Sequence, residues 1–296
     1  MTSQESTPDD IARKPDWLKI RLSLGPNFRD IKGLLRGLEL HSVCEEALCP
    51  NIGECFESRT ATFLILGRVC TRNCGFCAIE TGTTNELDEA EPERVARAVE
   101  SLDLRHVVIT SVTRDDLADG GAAIFAETIS RLRQYKPSCS VEVLIPDFQG
   151  SVSALATVVQ AKPDILNHNI ETVRRLSFEV RPMADYDRSI ELLRRAKQMD
   201  EKMLTKSGLM VGLGETWNEI LEAMADLRAA GCEILTIGQY LRPSKQHLPV
   251  ARYYTPAEFS LLRDEGQRLG FRHVESGPLV RSSYHAKQQL KGTGHP

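Results

Sequence analysis

The sequence predicts an α/β protein built on a largely parallel sheet, and three observations carry that expectation. From about residue 61 onward, short β-rich apolar runs alternate with longer segments of helical periodicity, the rhythm of βα units. Helix start signals fall in the gaps between those runs. With 296 residues, 41% of them hydrophobic, the chain is long enough to bury a substantial core. The repeating units suit either an open doubly wound sheet or a partial barrel, and both put an active site at the carboxyl ends of the strands.

Taken in order, residues 1–38 begin as a polar, acidic tail and continue through Trp17 and Leu18 into an apolar alternation at Ile20, Leu22 and Leu24. This stretch is expected to lie as an extended arm and short helix against the main body. Trp17 is expected to act as a packing anchor, because large aromatics serve chiefly as buried area. Strands are expected at 62–69, 105–111, 140–145, 164–168, 203–211 and 233–240. Val95, Val99 and Leu102 after Pro92 mark one helix, and Ile124, Ile129 and Leu132 after Gly121 mark another. Two later helices open with capping boxes, Thr216 with Glu219 and Thr255 with Glu258. Pro256 at the first helical position strengthens the second of these, a helix expected over 255–269.

The net charge of −4 is small, with no basic stripe for nucleic acid and no polybasic membrane anchor. No apolar run approaches the length of a membrane span. The first ten residues have neither the apolar core of a secretory signal nor the Arg-rich bias of a transit peptide, so a cytoplasmic protein is expected. In a reducing compartment clustered cysteines read as metal ligands before disulfides.

Six of the eight cysteines fall between residues 44 and 77, as two triplets. Cys44, Cys49 and Cys55 are separated by four and five residues, and Cys70, Cys74 and Cys77 by three and two. Soft thiolates favour iron-sulfur clusters, zinc or copper(I). Each triplet offers three ligands where a closed electron-transfer cluster or structural zinc site wants four, so each leaves a coordination place for something else. For the first triplet zinc is the alternative, although its spacings are wider than the usual paired hooks. Cys139 and Cys232 stand alone beside strand starts and are expected in the core.

The run Cys70-Thr-Arg-Asn-Cys74-Gly-Phe-Cys77 resembles the signature of the radical S-adenosylmethionine superfamily. The first triplet, together with Arg281-Ser282-Ser283-Tyr284 and Lys14-Pro-Asp-Trp17-Leu18, narrows the resemblance to the lipoyl synthase family, over nearly the whole chain. That resemblance implies a partial (β/α)6 TIM-like barrel with N-terminal and C-terminal extensions, divided as 1–60, 61–274 and 275–296. The position of Cys70, directly after the apolar end of the first strand, agrees.

The resemblance also implies two 4Fe-4S clusters and S-adenosyl-L-methionine. Cys70, Cys74 and Cys77 would hold the cluster whose open iron chelates S-adenosyl-L-methionine and starts the radical. Cys44, Cys49 and Cys55 would hold an auxiliary cluster with Ser283 as fourth ligand. A serine oxygen is harder than thiolate and a weak partner for this iron, which suits a cluster consumed as sulfur donor. The implied reaction inserts sulfur at carbons six and eight of an octanoyl chain on a carrier lysine. The carrier would be a lipoyl domain of a 2-oxoacid dehydrogenase or the glycine-cleavage carrier protein. Ferredoxin or flavodoxin would be the reductant, and the enzyme a monomer without nucleic-acid or membrane partners. Rival readings are a biotin-synthase-like sulfur inserter, an iron-sulfur electron carrier and a structural zinc module.

Polar residues at strand ends complete the expected site. Phe76 is assigned, through its backbone, beside the adenine. Thr110 and Ser111 are assigned to the methionine moiety, Asn169 and Glu171 to the ribose, and Arg181 to the cofactor carboxylate; helix capping, turn formation or a plain salt bridge are the alternatives. Arg281 and Tyr284 are expected to clamp the tail, and His168 to be hydrogen-bonded structure. Gly212-Leu-Gly214-Glu215 lacks the full phosphate-loop fingerprint and reads as a tight βα turn.

Overall fold

The computed structural model describes residues 14–20, 25–84 and 86–284, together with Ala286 and Gln289. The polar start and the apolar positions Leu22 and Leu24 lie outside the described residues. In the arm, Leu18 is fully buried while Trp17 remains 41% exposed, so the anchor is the leucine and not the tryptophan. Helix α1 (Pro26–Gly37) follows, then the two-residue strand β1 (His41–Ser42) and the short helices α2 (Val43–Glu46) and α3 (Ile52–Glu57).

The body then runs β2 (Thr62–Ile65), α4 (Glu91–Ser101), β3 (His106–Ser111), α5 (Ala122–Tyr135), β4 (Ser140–Leu144), α6 (Val152–Gln160) and β5 (Ile165–Asn167). It continues through α7 (Ser177–Val180), α8 (Tyr186–Met199), β6 (Leu204–Val211), α9 (Trp217–Ala229), β7 (Ile234–Gln239), α10 (Pro256–Arg268) and β8 (His273–Gly277). The strands lie side by side in chain order, β1 antiparallel to β2 and every later pair parallel. A doubly wound sheet must reverse its strand order once, and this one never does. With crossovers of one hand, all the connecting helices fall on one face. Accordingly α4 packs on α5, α5 on α6, α6 on α8 and α8 on α9. The sheet is a partial barrel whose edge strands, β1 and β8, share no ladder.

Strands β2 to β7 occupy the six stretches expected from apolar runs. Strand β8 is additional, and only Val274 of its five residues is buried, so it carries no apolar run. Strand β2 is shorter than expected because Leu66 and Gly67 take left-handed backbone angles of φ +68° and +86°. Both capping boxes form, with the Thr216 and Thr255 side chains and the Glu219 and Glu258 carboxylates bonded reciprocally.

Alternation along the strands separates two interiors. Odd-numbered positions of β3 and β4, such as Val107, Ile109, Val141 and Val143, belong to the large core between sheet and helices. Within the barrel, Ile165, Leu204 and Ile234, each the first residue of its strand, form a separate apolar floor. Glu142, in register with Ile165, and Lys206, two residues past Leu204, form a fully buried ion pair, Nζ to Oε1, at 2.8 Å. Above this polar layer the barrel opens into a cavity.

Candidate active site

The cavity, about 560 Å³, lies at the carboxyl ends of the parallel strands. Both cysteine triplets line it, as do Phe76, Thr110, Ser111, Asn169, Glu171, Arg181 and Ser283. Residues separated by more than two hundred positions therefore meet in one chamber. Among the described residues no helix is long and apolar enough to cross a membrane.

The second triplet rides on the loop that leaves β2. Backbone bonds Cys70 N to Glu80 O (2.8 Å) and Gly82 N to Cys70 O (3.1 Å) close the loop on itself. The Thr71 amide donates to Thr113 O at 3.0 Å and the Gly75 amide to Val180 O at 2.9 Å, tying the loop to two further βα connections. Arg72 is the central brace, donating to Asp115 at 2.6 and 2.8 Å and to Asp147 at 2.6 Å. The segment after β7 straps the outer side: His247 Nε2 sits 2.9 Å from Cys77 O, and the Leu248 amide donates to Gly75 O at 2.9 Å. A Cβ on Gly75 would lie 2.8 Å from the Leu248 side chain, so any larger residue there would push that side chain aside. The Cys70 sulfur accepts from the Arg72 and Thr113 amides at 3.4 and 3.3 Å.

The first triplet is held differently. Cys44 lies in α2, whose start is capped by the Ser42 hydroxyl, and Cys55 lies in α3. The Cys49 amide donates to Cys44 O and the Cys55 amide to Asn51 O, so the loop is wound from local bonds. The C-terminal tail pins it: Asn51 Nδ2 donates to Leu279 O at 2.7 Å, and the Tyr284 hydroxyl donates to Glu54 at 3.0 and 3.2 Å. Val280 presses against β7, where a Cβ on Gly238 would fall 2.1 Å from the Val280 carbonyl oxygen.

All eight cysteines are free thiols. Burial pushes Cys44 and Cys74 up to about 11 and Cys55 and Cys77 up to about 12, and also raises Cys49. Repulsion from the other thiols of the same triplet adds to the rise at Cys44, Cys55, Cys74 and Cys77. Left alone these groups stay protonated, whereas a metal centre deprotonates its thiols and offsets the cost of burial. Among the described residues, no three His, Cys, Asp or Glu donors are gathered tightly enough to hold a single metal ion. Thiols on one tetrahedral zinc sit about 3.8 Å apart, as its ~2.3 Å bonds require. A cubane's thiolates each take a different iron and need not converge on one point.

The other expected residues are placed as follows. The Thr110 hydroxyl donates to Leu144 O at 3.0 Å, whereas the Ser111 hydroxyl is buried without a partner on the cavity wall. Such an orphan suits a polar ligand, as a bound cofactor would be. Asn169 donates to Glu171 at 3.0 Å, and Glu171 holds a left-handed φ of +64° where its backbone bridges to β6. Burial raises the Glu171 carboxyl, against which Arg181 and Arg281 pull. Arg181 donates to the carbonyls of Asn169 and Ile170 at 3.2 and 3.0 Å. Phe76 packs partly buried against the core. His168 is buried with its ring nitrogens on Ile145 O and the Ser189 hydroxyl, and burial lowers it to about 4, so it is structural. Gly212 and Gly214 have φ of +101° and +109°, and Glu215 accepts from the Gly212 and Leu213 amides, making the tight turn expected there.

Arg281, expected as a clamp on the tail, lines the cavity instead, where its charge acts on both Cys49 and Glu171, and Lys14 of the N-terminal motif lines the same cavity. Other residues escaped sequence reasoning. Asp115, Asp147 and His247 brace the second triplet from loops far along the chain. Asp115 and Asp147 had one signal, position shortly after a strand, which many polar residues share, and His247, eight residues beyond β7, lacked even that.

Comparison with known proteins agrees with this geometry. The family model described as the radical SAM superfamily matches residues 64–227, and that of the N-terminal domain of lipoyl synthase matches residues 3–49. The lipoyl synthase of Symbiobacterium thermophilum is 64% identical over 280 residues, 95% of this chain and 88% of that protein. That of Rubrobacter xylanophilus is 62% identical, covering 94% and 87%. Among solved structures, methylornithine synthase superposes with a TM-score of 0.52 at 14% identity, over 86% of this chain and 82% of that one. Streptococcus suis SuiB bound to its precursor peptide gives 0.57 at 13% identity, over 80% and 54%. At such identities these two likenesses speak for the fold.

Proposed function

The chain belongs to the lipoyl synthase family of the radical SAM superfamily, and from that premise we propose how its cavity is divided. It is a radical SAM sulfurtransferase, and its substrate is an octanoyl chain on a carrier-protein lysine, which receives sulfur at carbons six and eight. When bound, two 4Fe-4S clusters and S-adenosyl-L-methionine supply the electron, the 5'-deoxyadenosyl radical and the sulfur.

Cys70, Cys74 and Cys77 would hold the radical-generating cluster, and Cys44, Cys49 and Cys55 with Ser283 the auxiliary one. Ser111, with its unpartnered hydroxyl, and Thr110 would receive the methionine end of S-adenosyl-L-methionine, and Arg181 its carboxylate. Asn169 and Glu171 would take the ribose, and the Phe76 backbone the adenine. Leu64, Val112, Leu144, Leu209 and Met210 line the same chamber and would exclude water while bedding the acyl chain. The lipoyl domain of a 2-oxoacid dehydrogenase or the glycine-cleavage carrier protein would present that chain. Ferredoxin or flavodoxin would deliver the electron, to a monomeric enzyme in the cytoplasm.

One observation supports this division above the others: the two triplets line a single chamber at the strand ends instead of two separate sites. A radical generated at one triplet and a sulfur supplied at the other would both have to reach the same short chain. The test is iron and sulfide quantification on anaerobically reconstituted wild type and Cys44→Ala. Loss of about half the iron is expected, as two cubanes predict, with S-adenosyl-L-methionine cleavage retained and no lipoyl product. Unchanged iron, or loss of cleavage together with product, would overturn it.

A further inference from the structure

We infer that Ser282 is a positioning residue: anchored by a buried polar chain rooted inside the barrel, it presents its neighbour Ser283 to the first triplet. The inference rests on the reading of Ser283 as a ligand and adds what holds that serine in place.

The chain can be followed atom by atom. Lys206 Nζ donates to Glu142 Oε1 at 2.8 Å, and both side chains are fully buried. Asn167 Nδ2 donates to the same carboxylate oxygen at 2.9 Å and to Ser282 Oγ at 2.8 Å. Ser282 Oγ in turn donates to Asn169 Oδ1 at 3.2 Å, and Asn169 Nδ2 donates to Glu171 Oε1 at 3.0 Å. The polarity of the whole run is set at its root. A carboxylate only accepts, so the Asn167 amide must turn its NH2 toward Glu142. That same NH2 faces Ser282, whose hydroxyl accepts there and is left to donate to Asn169.

Ser282 is thus used both as donor and as acceptor, by partners more than a hundred residues away. Its neighbour differs: among the described residues no side-chain hydrogen bond of Ser283 is found, and Ser283 lines the cavity with Cys44, Cys49 and Cys55. The tail can shift little, because the Val280 carbonyl already fills the space over Gly238. Fixing Ser282 inward therefore fixes where Ser283 can point. A buried ion pair is costly and contributes little stability on its own, but it can specify one arrangement. Here the arrangement specified is the direction of the asparagine amides.

The experiment measures iron release to a ferrous chelator from the anaerobically reconstituted full chain, comparing wild type, Ser282→Ala, Ser282→Thr and Ser283→Ala. In Ser282→Ala the half of the iron assigned to the first triplet is expected to leave about thirtyfold faster, the equivalent of two lost hydrogen bonds at ~1 kcal/mol each. The other half should leave at the wild-type rate, and Ser282→Thr, which keeps the hydroxyl, should behave as wild type. Wild-type release in Ser282→Ala with fast release in Ser283→Ala overturns this inference and leaves the ligand reading standing. Wild-type release in both removes the ligand reading and the inference with it. Equal acceleration of both halves shows a merely structural role and also overturns it. Should Ser282→Ala fail to fold, Ser282→Val against Ser282→Thr, isosteres differing in the hydroxyl, carries the same comparison.

Discussion

The two cysteine loops face one chamber but are built to different standards. The second is embedded: it follows a buried strand, bonds through its backbone to three other connections and is braced by a buried arginine between two aspartates. The first is assembled from a few residues of helix and a tail that arrives from the other end of the chain. Under the division proposed above, the difference shows how one fold would hold a centre that persists and another that is given up. Attachment to the barrel gives permanence, while attachment through a tail leaves a seam that can open without disturbing the strands. The comparison predicts that damage to the second loop's brace costs global stability, whereas damage to the tail's clasp costs little.

The largest effect is expected at Arg72. Asp147 is fully buried, and without the guanidinium its remaining cationic neighbour is Arg188, 3.3 Å away. Breaking one side of a buried pair typically costs ~3–5 kcal/mol. Arg72→Met should therefore lower the melting temperature of the cluster-free protein by about 10 °C, given ~2–4 °C per kcal/mol for chains of this size. A change below about 2 °C in calorimetry would show that the embedded loop is no better braced than the other one.

What could be read from the sequence follows the same division. Strands β2 to β7 were legible because strands buried on both faces read as near-continuous apolar runs. The capping boxes of α9 and α10 were legible because every atom involved lies within four residues. Cysteine spacing, together with Arg281–Tyr284, pointed to the chemistry before any coordinates. Strand β8 was missed because Val274 alone is buried, and pairing to β7 rather than apolar pattern makes it a strand. Trp17 and Leu18 are adjacent, and which of them faces inward is decided by the arm's path, on which local pattern is silent. The Asp147 brace and the Asn167–Ser282 bond join residues 75 and 115 positions apart, and nothing at either end announces the other.

A second prediction sharpens the comparison by finding a pH-sensitive point beneath the embedded loop. Glu91, buried at the start of α4, accepts the Leu66 amide at 2.7 Å just where the chain turns from β2 toward Cys70. Burial outweighs that bond and pushes its carboxyl up from 4.5 to about 7. The folded state therefore holds a proton that the unfolded chain gives up near pH 4.5. The associated stability is complete below that pH and is lost as pH rises through about 7. At ~1.4 kcal/mol per pH unit the loss is on the order of 3 kcal/mol. Glu91→Gln, which stays neutral, should flatten this part of the stability–pH curve between about pH 4.5 and 7. Identical slopes in denaturant titrations of the two proteins would remove Glu91 as the cause.

The smallest effect is expected at the clasp. The Tyr284 hydroxyl donates to the exposed Glu54 carboxylate at 3.0 and 3.2 Å, joining the tail to α3. An exposed bond to a charged group is worth about 1 kcal/mol or less, because water replaces it readily. Tyr284→Phe keeps the ring and removes the hydroxyl, so the cluster-free protein should melt within about 3 °C of wild type. Yet the clasp spans the seam between tail and first triplet, so the loss should appear as faster iron release from that half of the holoenzyme, by less than about fivefold. The other half should be unaffected, since the bond removed joins the tail to α3, whereas Arg72, Asp115 and Asp147 brace the second loop from the barrel side. A melting loss as large as that of Arg72→Met, with both halves released faster, would mean that the tail supports the whole barrel and that the two loops are not held to different standards after all.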